Sequence, residues 1–387
     1  IALLGNGFLA GVFGLLARPL KGRLPGLAVL ACLVFAPVAW INLVWGMSSI
    51  HNHAVHFFAL ASMMAFFSDR PGRWRFFLFF VFGTCAVYTN GSGLFLFPAL
   101  LIARAARGLA AVRAGRGREA AASPFDFVMV FVVLLLVAVP YFIGYSKPAH
   151  HPSTASVFTH PVQAIAYFLS FTGSFIVSAG GTPLLAMLAG GGLVAGLILL
   201  ARFGAQERSP ALFGFALYVL LTGLAATVTR LGFGVFQALE PRYRIHSLLL
   251  LTSIFVMTVQ LVPREPHRRS VCAVFFAAGL LLYAGSWSRA VPAMTLHRRM
   301  LTVETAKWVC CGRGLHYPRE GRTHAGEIFD AAVSRGIYRP PKAVFDAVQR
   351  HEERMNRNPK EDSEEMVLEG GLEPPRVAPH APQTCVS

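Results

Sequence analysis

Apolar runs separated by short basic connections fill most of this 387-residue sequence. A helix rises about 1.5 Å per residue, so about 20 apolar residues match the hydrocarbon thickness of a bilayer. Runs that approach this length lie at 1–17, 24–45, 54–67, 76–89, 92–103, 127–145, 183–201, 211–229, 245–262 and 271–288. We therefore predict an all-α, polytopic transmembrane helical bundle of about ten membrane-inserted segments with a small polar C-terminal tail.

The composition agrees with a bilayer environment. Hydrophobic residues make up 55% of the chain and charged residues 14%, whereas charged residues form about a quarter of a soluble domain. We divide the sequence into a transmembrane helical domain (1–290), a small helical C-terminal extension (291–358) and a disordered or spurious tail (359–387). Because the first residue is an isoleucine inside an apolar run, we also expect an N-terminal part to be missing.

The net charge of +16 belongs to the membrane domain. Residues 1–290 contain 21 Lys and Arg but only 6 Asp and Glu, whereas residues 291–387 contain 14 and 13. The basic residues lie in short connections between apolar runs, at 18–23, 69–75, 104–118 and 263–269. This distribution is typical of cytoplasmic loops under the positive-inside rule and argues against nucleic-acid binding.

Placing these basic connections on one side of the membrane constrains the topology. Between 104–118 and 263–269 the number of crossings must be even, and four runs already supply it. The segment 161–179 should therefore not cross, and its aromatic residues at helical spacing suit an amphipathic helix at the outer interface. The stretch 76–103 is short for two full helices, so we favour a re-entrant hairpin over one kinked span.

The sequence "LEPRYR" comes directly before a late apolar run and carries the charged residues Glu240, Arg242 and Arg244. An arginine in the first turn of a helix opposes the helix dipole and requires compensation. Glu240 can supply part of it, and a bound phosphate can supply more, because arginine binds phosphate oxygens in a bidentate manner. The alternative is that the arginines only anchor the end of the helix at the membrane surface.

A second polar segment, "SSIHNHAVH", contains His51, Asn52 and His53. On a helix His53 and His56 share a face, whereas in an extended chain His51 and His53 do. The spacing does not define a metal site, so we predict no metal cofactor, although a divalent ion bound by these residues with His150, His151 and His160 stays open. Asn90, in "TNGSG", marks a chain reversal or helix break that can line a cavity.

Several segments of the chain, in this order, resemble a group of bacterial inner-membrane proteins. They are "INLVWGMSSIHNHAVHFFALASMMAFF", "VYTNGSGLFLFPALLIARAAR", "AYFLSFTGSF" and "ALEPRYRIHSLLLL". These proteins are similar to GT-C type glycosyltransferases, which transfer sugars from polyprenyl-phosphate carriers. The resemblance covers about residues 24–290. It implies a catalytic carboxylate in the first outer loop, but no Asp or Glu precedes Asp69.

From this resemblance we expect a multi-pass protein of the bacterial inner membrane that acts in envelope polysaccharide or glycolipid assembly. Arg242 and Arg244 would hold the carrier phosphate. Tyr243, His51, Asn52, His53 and Asn90 would contact the substrate, and Glu240 would act as the catalytic base. Its partners would be membrane lipid and a polyprenyl-phosphate sugar. The alternatives are a transporter or flippase of lipid-linked or small anionic substrates, and a non-catalytic membrane scaffold.

Overall fold

The computed structural model describes residues 1–21, 23–68, 72–115, 124–146, 152–311 and 322–357, with side chains except at 310–311, 322–325 and 350–357. Helices hold 87% of the described residues and none of these residues lies in a strand, which confirms the predicted all-α fold. Within the described part, nine helices are long and apolar enough to cross a membrane. The protein is therefore a multi-pass membrane helical bundle.

The chain forms two compact units, Ile1–Pro292 and Ala293–Ser387. The first six helices are α1 (Ala2–Ala17), α2 (Leu24–Val34), α3 (Trp40–Val44), α4 (Gly46–Ser49), α5 (Val55–Phe66) and α6 (Gly72–Thr89). The next eight are α7 (Leu96–Arg113), α8 (Pro124–Phe142), α9 (Ser156–Thr159), α10 (Pro161–Gly173), α11 (Pro183–Arg202), α12 (Ala205–Arg208), α13 (Pro210–Arg230) and α14 (Arg244–Leu261). Then follow α15 (Glu265–Cys311), α16 (Arg322–Ser334) and α17 (Lys342–Arg357).

Several helices are longer than the apolar runs that predict them. A π-helical turn, Ile50–Ala54, joins α4 to α5, so the short run 54–67 becomes part of a continuous helix that starts at Gly46. Helix α6 has 18 residues and is therefore about 27 Å long. Both α6 and α7 extend beyond the stretch 76–103 into the basic segments that flank it. Of the two, only the region of α7, Gly91–Arg113, is among the described helices long and apolar enough to cross, so the re-entrant hairpin stays a prediction.

Asp126 explains how the helices continue through these charged residues. Its carboxylate is buried at the start of α8 and pairs with Arg75 of α6 and, at 2.8 Å, with Nε of Arg104 of α7. A partly buried arginine is tolerated when a charged partner pairs with it. We call this region of the bundle the Asp126 end.

Other contacts extend the Asp126 end to the later helices. Arg208 of α12 donates to the carbonyl of Leu261, the last residue of α14, at 3.2 Å, and Ser209 donates to Gln260. Helix α12 also packs against α7, which carries Arg104. The part of α7 that carries Arg104 and the connections after α11 and α14 therefore gather at one end of the bundle.

The opposite end, which we call the Arg242 end, receives both ends of the segment Pro161–Ala179. At its beginning, Tyr167 packs with Leu231 and Ala238 in the connection before α14. After its last residue, Gly180 lies against the guanidinium of Arg289, which is within electrostatic range of Arg244. This segment is long and apolar enough to cross. The position of both its ends favours the prediction that it does not cross, and the path itself stays a prediction.

The aromatic stripe of α10 does not face the membrane surface. Tyr167 and Phe171 are fully buried inside the protein, whereas the exposed face of α10 presents Val162 and Ile165. The predicted interfacial role of the stripe is therefore corrected: its rings pack on α13 and on the connection before α14. On another side of α10, Gly173 and Gly190 bring the backbones of α10 and α11 into contact, as is common for small residues in membrane helices.

The second unit is held together by aromatic contacts of its own. The indole of Trp308 donates to the Asp330 carboxylate at 2.8 Å and lies over Gly326 of α16. Phe329 contacts Tyr338 with ring centroids 5.5 Å apart. The predicted tail 359–387 lies outside the described residues, as do His150 and His151, at which a divalent ion was left open.

Candidate functional site

The segment from Glu240 to Arg244 forms the centre of the candidate site. Helix α14 begins at Arg244, and the Glu240 carboxylate lies 2.7 Å from Arg242 Nε, close enough for an ion pair, although the N–H is not aligned for a hydrogen bond. Arg244 Nε donates to the carbonyl of Leu239 at 2.9 Å. Arg244 is therefore the arginine of this segment that lies in the first helical turn, with the Leu239 carbonyl as its partner, whereas Glu240 pairs with Arg242 before the helix begins.

Two further arginines converge on this segment. Arg230, at the end of α13, acts electrostatically on the Tyr243 phenol together with Arg242. Arg289 of α15 is within electrostatic range of Arg244. Among the described residues of the Arg242 end, Glu240 is the only carboxylate, so this end carries an excess of positive charge. An excess of guanidinium groups at a helix start is suited to an anionic ligand.

Tyr243 lies between these charges. The guanidinium of Arg242 stacks over its ring at 4.9 Å, and its ring contacts that of Phe171 at 5.9 Å between centroids. Burial raises the pKa of the Tyr243 phenol, against the opposing effect of the Arg242 and Arg230 charges. The phenol therefore remains neutral at physiological pH and can donate a hydrogen bond.

The histidine segment is helical, not a loop. His51 points outward and is exposed, whereas Asn52 and His53 are buried. Asn52 donates to the carbonyl of Ser48 at 2.9 Å, and His53 Nδ1 lies 3.4 Å from the Ser49 hydroxyl. Of the two alternatives, the helical one is therefore correct, since His53 and His56 both face inward. A substrate contact by His51, Asn52 or His53 stays a prediction.

Asn42 connects the histidine segment to the arginines. Its side-chain amide donates to the carbonyl of Arg242 at 3.0 Å, and its carbonyl oxygen accepts from the Ser48 hydroxyl at 2.5 Å and from Asn52 at 3.3 Å. Asn42 is fully buried. The two segments that the sequence analysis singles out therefore lie together at the Arg242 end, in contact through a residue that it did not identify.

Asn90 occupies the chain reversal between α6 and α7. Its side-chain oxygen accepts from the backbone N–H of Ser92 at 3.0 Å and so caps the short 3₁₀ helix Gly91–Phe95. The Tyr141 hydroxyl lies over Gly91, and its ring packs edge-on against Tyr88 at 6.0 Å. Asn90 thus has a local structural role, and its predicted contact with a substrate stays a prediction.

The next question is whether the described residues could bind a metal ion. No group of three or more His, Cys, Asp or Glu side chains there is arranged to hold an ion. His160 is exposed and its Nδ1 lies 2.8 Å from the Thr159 hydroxyl. His150 and His151, the other histidines considered for a divalent ion, lie outside the described residues.

Sequence reasoning missed four residues of this region: Arg230, Arg289, Asn42 and His246. The two arginines could have been recognised in the sequence, because they lie outside the basic connections that follow the positive-inside rule. Asn42 and His246 could not have been recognised, since a single polar residue in an apolar run does not indicate its partner. Comparison of the chain with protein-family models, curated proteins and solved structures gives no match.

Proposed function

We propose that this protein is a membrane-embedded glycosyltransferase that takes a sugar from a polyprenyl-phosphate carrier. The observation that carries the proposal is that Arg242 and Arg244, with Arg230 and Arg289 within electrostatic range of Tyr243 and Arg244 respectively, lie at one end of a multi-pass bundle where Glu240 is the single carboxylate among the described residues. Guanidinium groups bind phosphate oxygens in a bidentate manner. A lipid-linked phosphate reaches such a site from the membrane without leaving the bilayer.

In the proposed reaction each residue has a separate role. Arg242 and Arg244 hold the carrier phosphate, and Tyr243 and His51 contact sugar hydroxyls. The acceptor hydroxyl attacks the anomeric carbon while Glu240 accepts its proton. The bond between the anomeric carbon and the phosphate oxygen breaks, and the carrier phosphate keeps the electron pair. The arginines stabilise the charge that develops on this leaving group.

The proposal also explains the pairing of Glu240 with Arg242. Both side chains are partly exposed, at 40% and 33% of the side-chain surface, so the pair itself contributes at most about 1 kcal/mol to stability. A bound phosphate can displace Glu240 from Arg242 at little cost. The carboxylate is then released next to the ligand, where a base is required.

The direct test uses purified protein in lipid nanodiscs with a panel of radiolabelled polyprenyl-phosphate hexoses and a detergent extract of membrane glycolipids as acceptors. We expect release of polyprenyl phosphate by the wild-type protein. Glu240→Gln should abolish release but retain binding of the carrier, whereas Arg242→Ala should weaken binding. Failure of the wild-type protein to bind any polyprenyl phosphate would sink the proposal. Binding and uptake into proteoliposomes without sugar transfer would favour transport instead.

A further inference from the structure

His56 and His246 form a hydrogen-bonded pair in the core, below the arginines. His56 Nε2 lies 2.9 Å from His246 Nδ1, and His56 Nδ1 is hydrogen-bonded to the carbonyl oxygen of Asn52. A carbonyl oxygen can only accept, so His56 Nδ1 carries the proton. In the neutral pair His246 Nδ1 is then the donor to His56 Nε2. The partners thus fix both tautomers.

The pair lies in an aromatic environment that offers few other partners. His56 packs edge-on against Phe215 and Tyr218 at 6.1 and 6.0 Å, and His246 packs on Phe171 at 5.2 Å. Both imidazoles are buried. Rotation of α14 by one residue, or a shift by one turn, would leave both rings without this hydrogen bond. A polar pair in such surroundings defines one register of two helices, a role that an apolar pair does not provide.

The first turn of α14 is held from three different elements. Asn42 of α3 donates to the carbonyl of Arg242, and His56 of α5 accepts from His246. The hydroxyl of Ser174, at the end of α10, lies 3.0 Å from that of Ser247. These contacts act on residues 242–247, which include Arg242, Tyr243 and Arg244. The direction in which these side chains point at the start of the helix therefore depends on the contacts beneath them.

We propose that His56 and His246 are positioning residues: their hydrogen bond fixes the first turn of α14 and so directs Arg242 and Tyr243 toward a phosphate ligand. The inference rests on the proposed function for the identity of the ligand. The helix register that the histidine pair imposes does not depend on the proposed function. The two parts can therefore be tested by separate measurements.

The first measurement is hydrogen exchange by mass spectrometry on the full-length protein in nanodiscs, without ligand. The double variant His56→Leu/His246→Leu keeps an apolar core, and we expect amides of residues 242–248 to exchange about tenfold faster, while α11 and α13 keep wild-type rates. The single variant His246→Asn keeps His56 and places an amide donor near the position of Nδ1. Its amides at residues 242–248 should therefore exchange as slowly as those of the wild-type protein. Unchanged exchange at 242–248 in the double variant would overturn the proposal, as would an equal increase throughout the bundle.

The second measurement is binding of a fluorescent polyprenyl phosphate to the same nanodiscs, with polyprenol and inorganic phosphate as competitors. The double histidine variant should bind about tenfold more weakly, whereas Ser253→Ala, a buried hydroxyl bonded only within α14, should bind normally. Full binding by a variant whose first turn has lost protection would refute the positioning role. If the wild-type protein itself does not bind, the proposed function fails, and the exchange experiment still decides whether the pair fixes the register.

Discussion

The amide of Asn42 donates a hydrogen bond of 3.0 Å to the carbonyl of Arg242, which lies 200 positions later in the chain. Asn42→Leu removes this donor and also the acceptor of Ser48, inside a fully buried region. A buried polar group without a partner costs about 1–3 kcal/mol. We expect the midpoint of thermal unfolding in detergent to fall. Ser253→Ala should leave it close to the wild-type value, and an equal effect of both variants would contradict this role of Asn42.

Arg242 and Arg244 should respond differently to removal. The Arg242 side chain is partly exposed and paired with a partly exposed carboxylate, so Arg242→Ala should change the free energy of unfolding by less than about 1 kcal/mol. Its effect should appear as binding of polyprenyl phosphate weakened by about tenfold or more. Arg244 also donates to the Leu239 carbonyl, so Arg244→Ala should lower both thermal stability and binding. Equal stability of the two variants would show that this hydrogen bond is unimportant.

Asp126 should be the most sensitive carboxylate of the described residues. Asp126→Ala leaves Arg75 and Arg104 without their buried partner, and loss of one member of a buried ion pair costs about 3–5 kcal/mol. We expect little folded protein in detergent extracts. The matched control is Glu265→Gln, since Glu265 pairs with Arg268 at an exposed site and should change stability by less than about 1 kcal/mol. Normal yield of the Asp126 variant would be inconsistent with a structural role of this pair.

The helical fold could be predicted because apolar runs of bilayer length leave the backbone few alternatives to a helix. The ends of the helices could not be predicted, since α6 and α7 continue through Arg75 and Arg104. These charges are tolerated because Asp126 of another helix pairs with them. That the segment 161–179 does not cross is a prediction from the parity of the basic connections. No local pattern contains that long-range information.

The candidate site was predicted in part. The segment 240–244 stood out because charged residues next to an apolar run are expensive, and the expected partner of the arginines, Glu240, is present. The contacts Asn42 to Arg242 and His56 to His246 join residues about 200 positions apart. Neither residue type nor spacing indicates such a pairing in a single sequence. The burial of His53 and Asn52 could not be predicted from the sequence either, because a helix with a π turn buries residues that a loop would expose.

Two neighbouring glycines of α11, Gly190 and Gly191, allow a test of helix packing with a matched control. An added Cβ at Gly190 would collide with the carbonyl oxygen of Leu169 in α10, whereas one at Gly191 meets no atom within 4 Å. Gly190→Ala should therefore separate the two helices and destabilise the protein by about 1–3 kcal/mol. Gly191→Ala should be neutral or slightly stabilising, because alanine favours the helix. Thermal unfolding of both variants checks this, and equal midpoints would mean that α10 and α11 do not pack closely.

The path of the segment Pro161–Ala179 can be decided by labelling single cysteines in a variant that lacks the native ones. Phe158 and Thr182 flank the segment and are exposed. If the segment dips into the bundle and returns, Phe158→Cys and Thr182→Cys react with an impermeant thiol reagent from the same side of sealed vesicles, and His267→Cys, at the Asp126 end, reacts from the other. A crossing segment would place the two flanking cysteines on opposite sides.

The same labelling bears on the site itself. Tyr167 and Phe171 of this segment pack beneath Tyr243 and His246, so a crossing segment could not keep both of its ends near the arginines. His51→Cys, from the exposed position of the histidine segment, should react from the same side as Phe158→Cys. Reaction of His51→Cys from the side of His267→Cys would separate the histidine segment from the arginines, and a shared site for a phosphate ligand and its sugar would then be impossible.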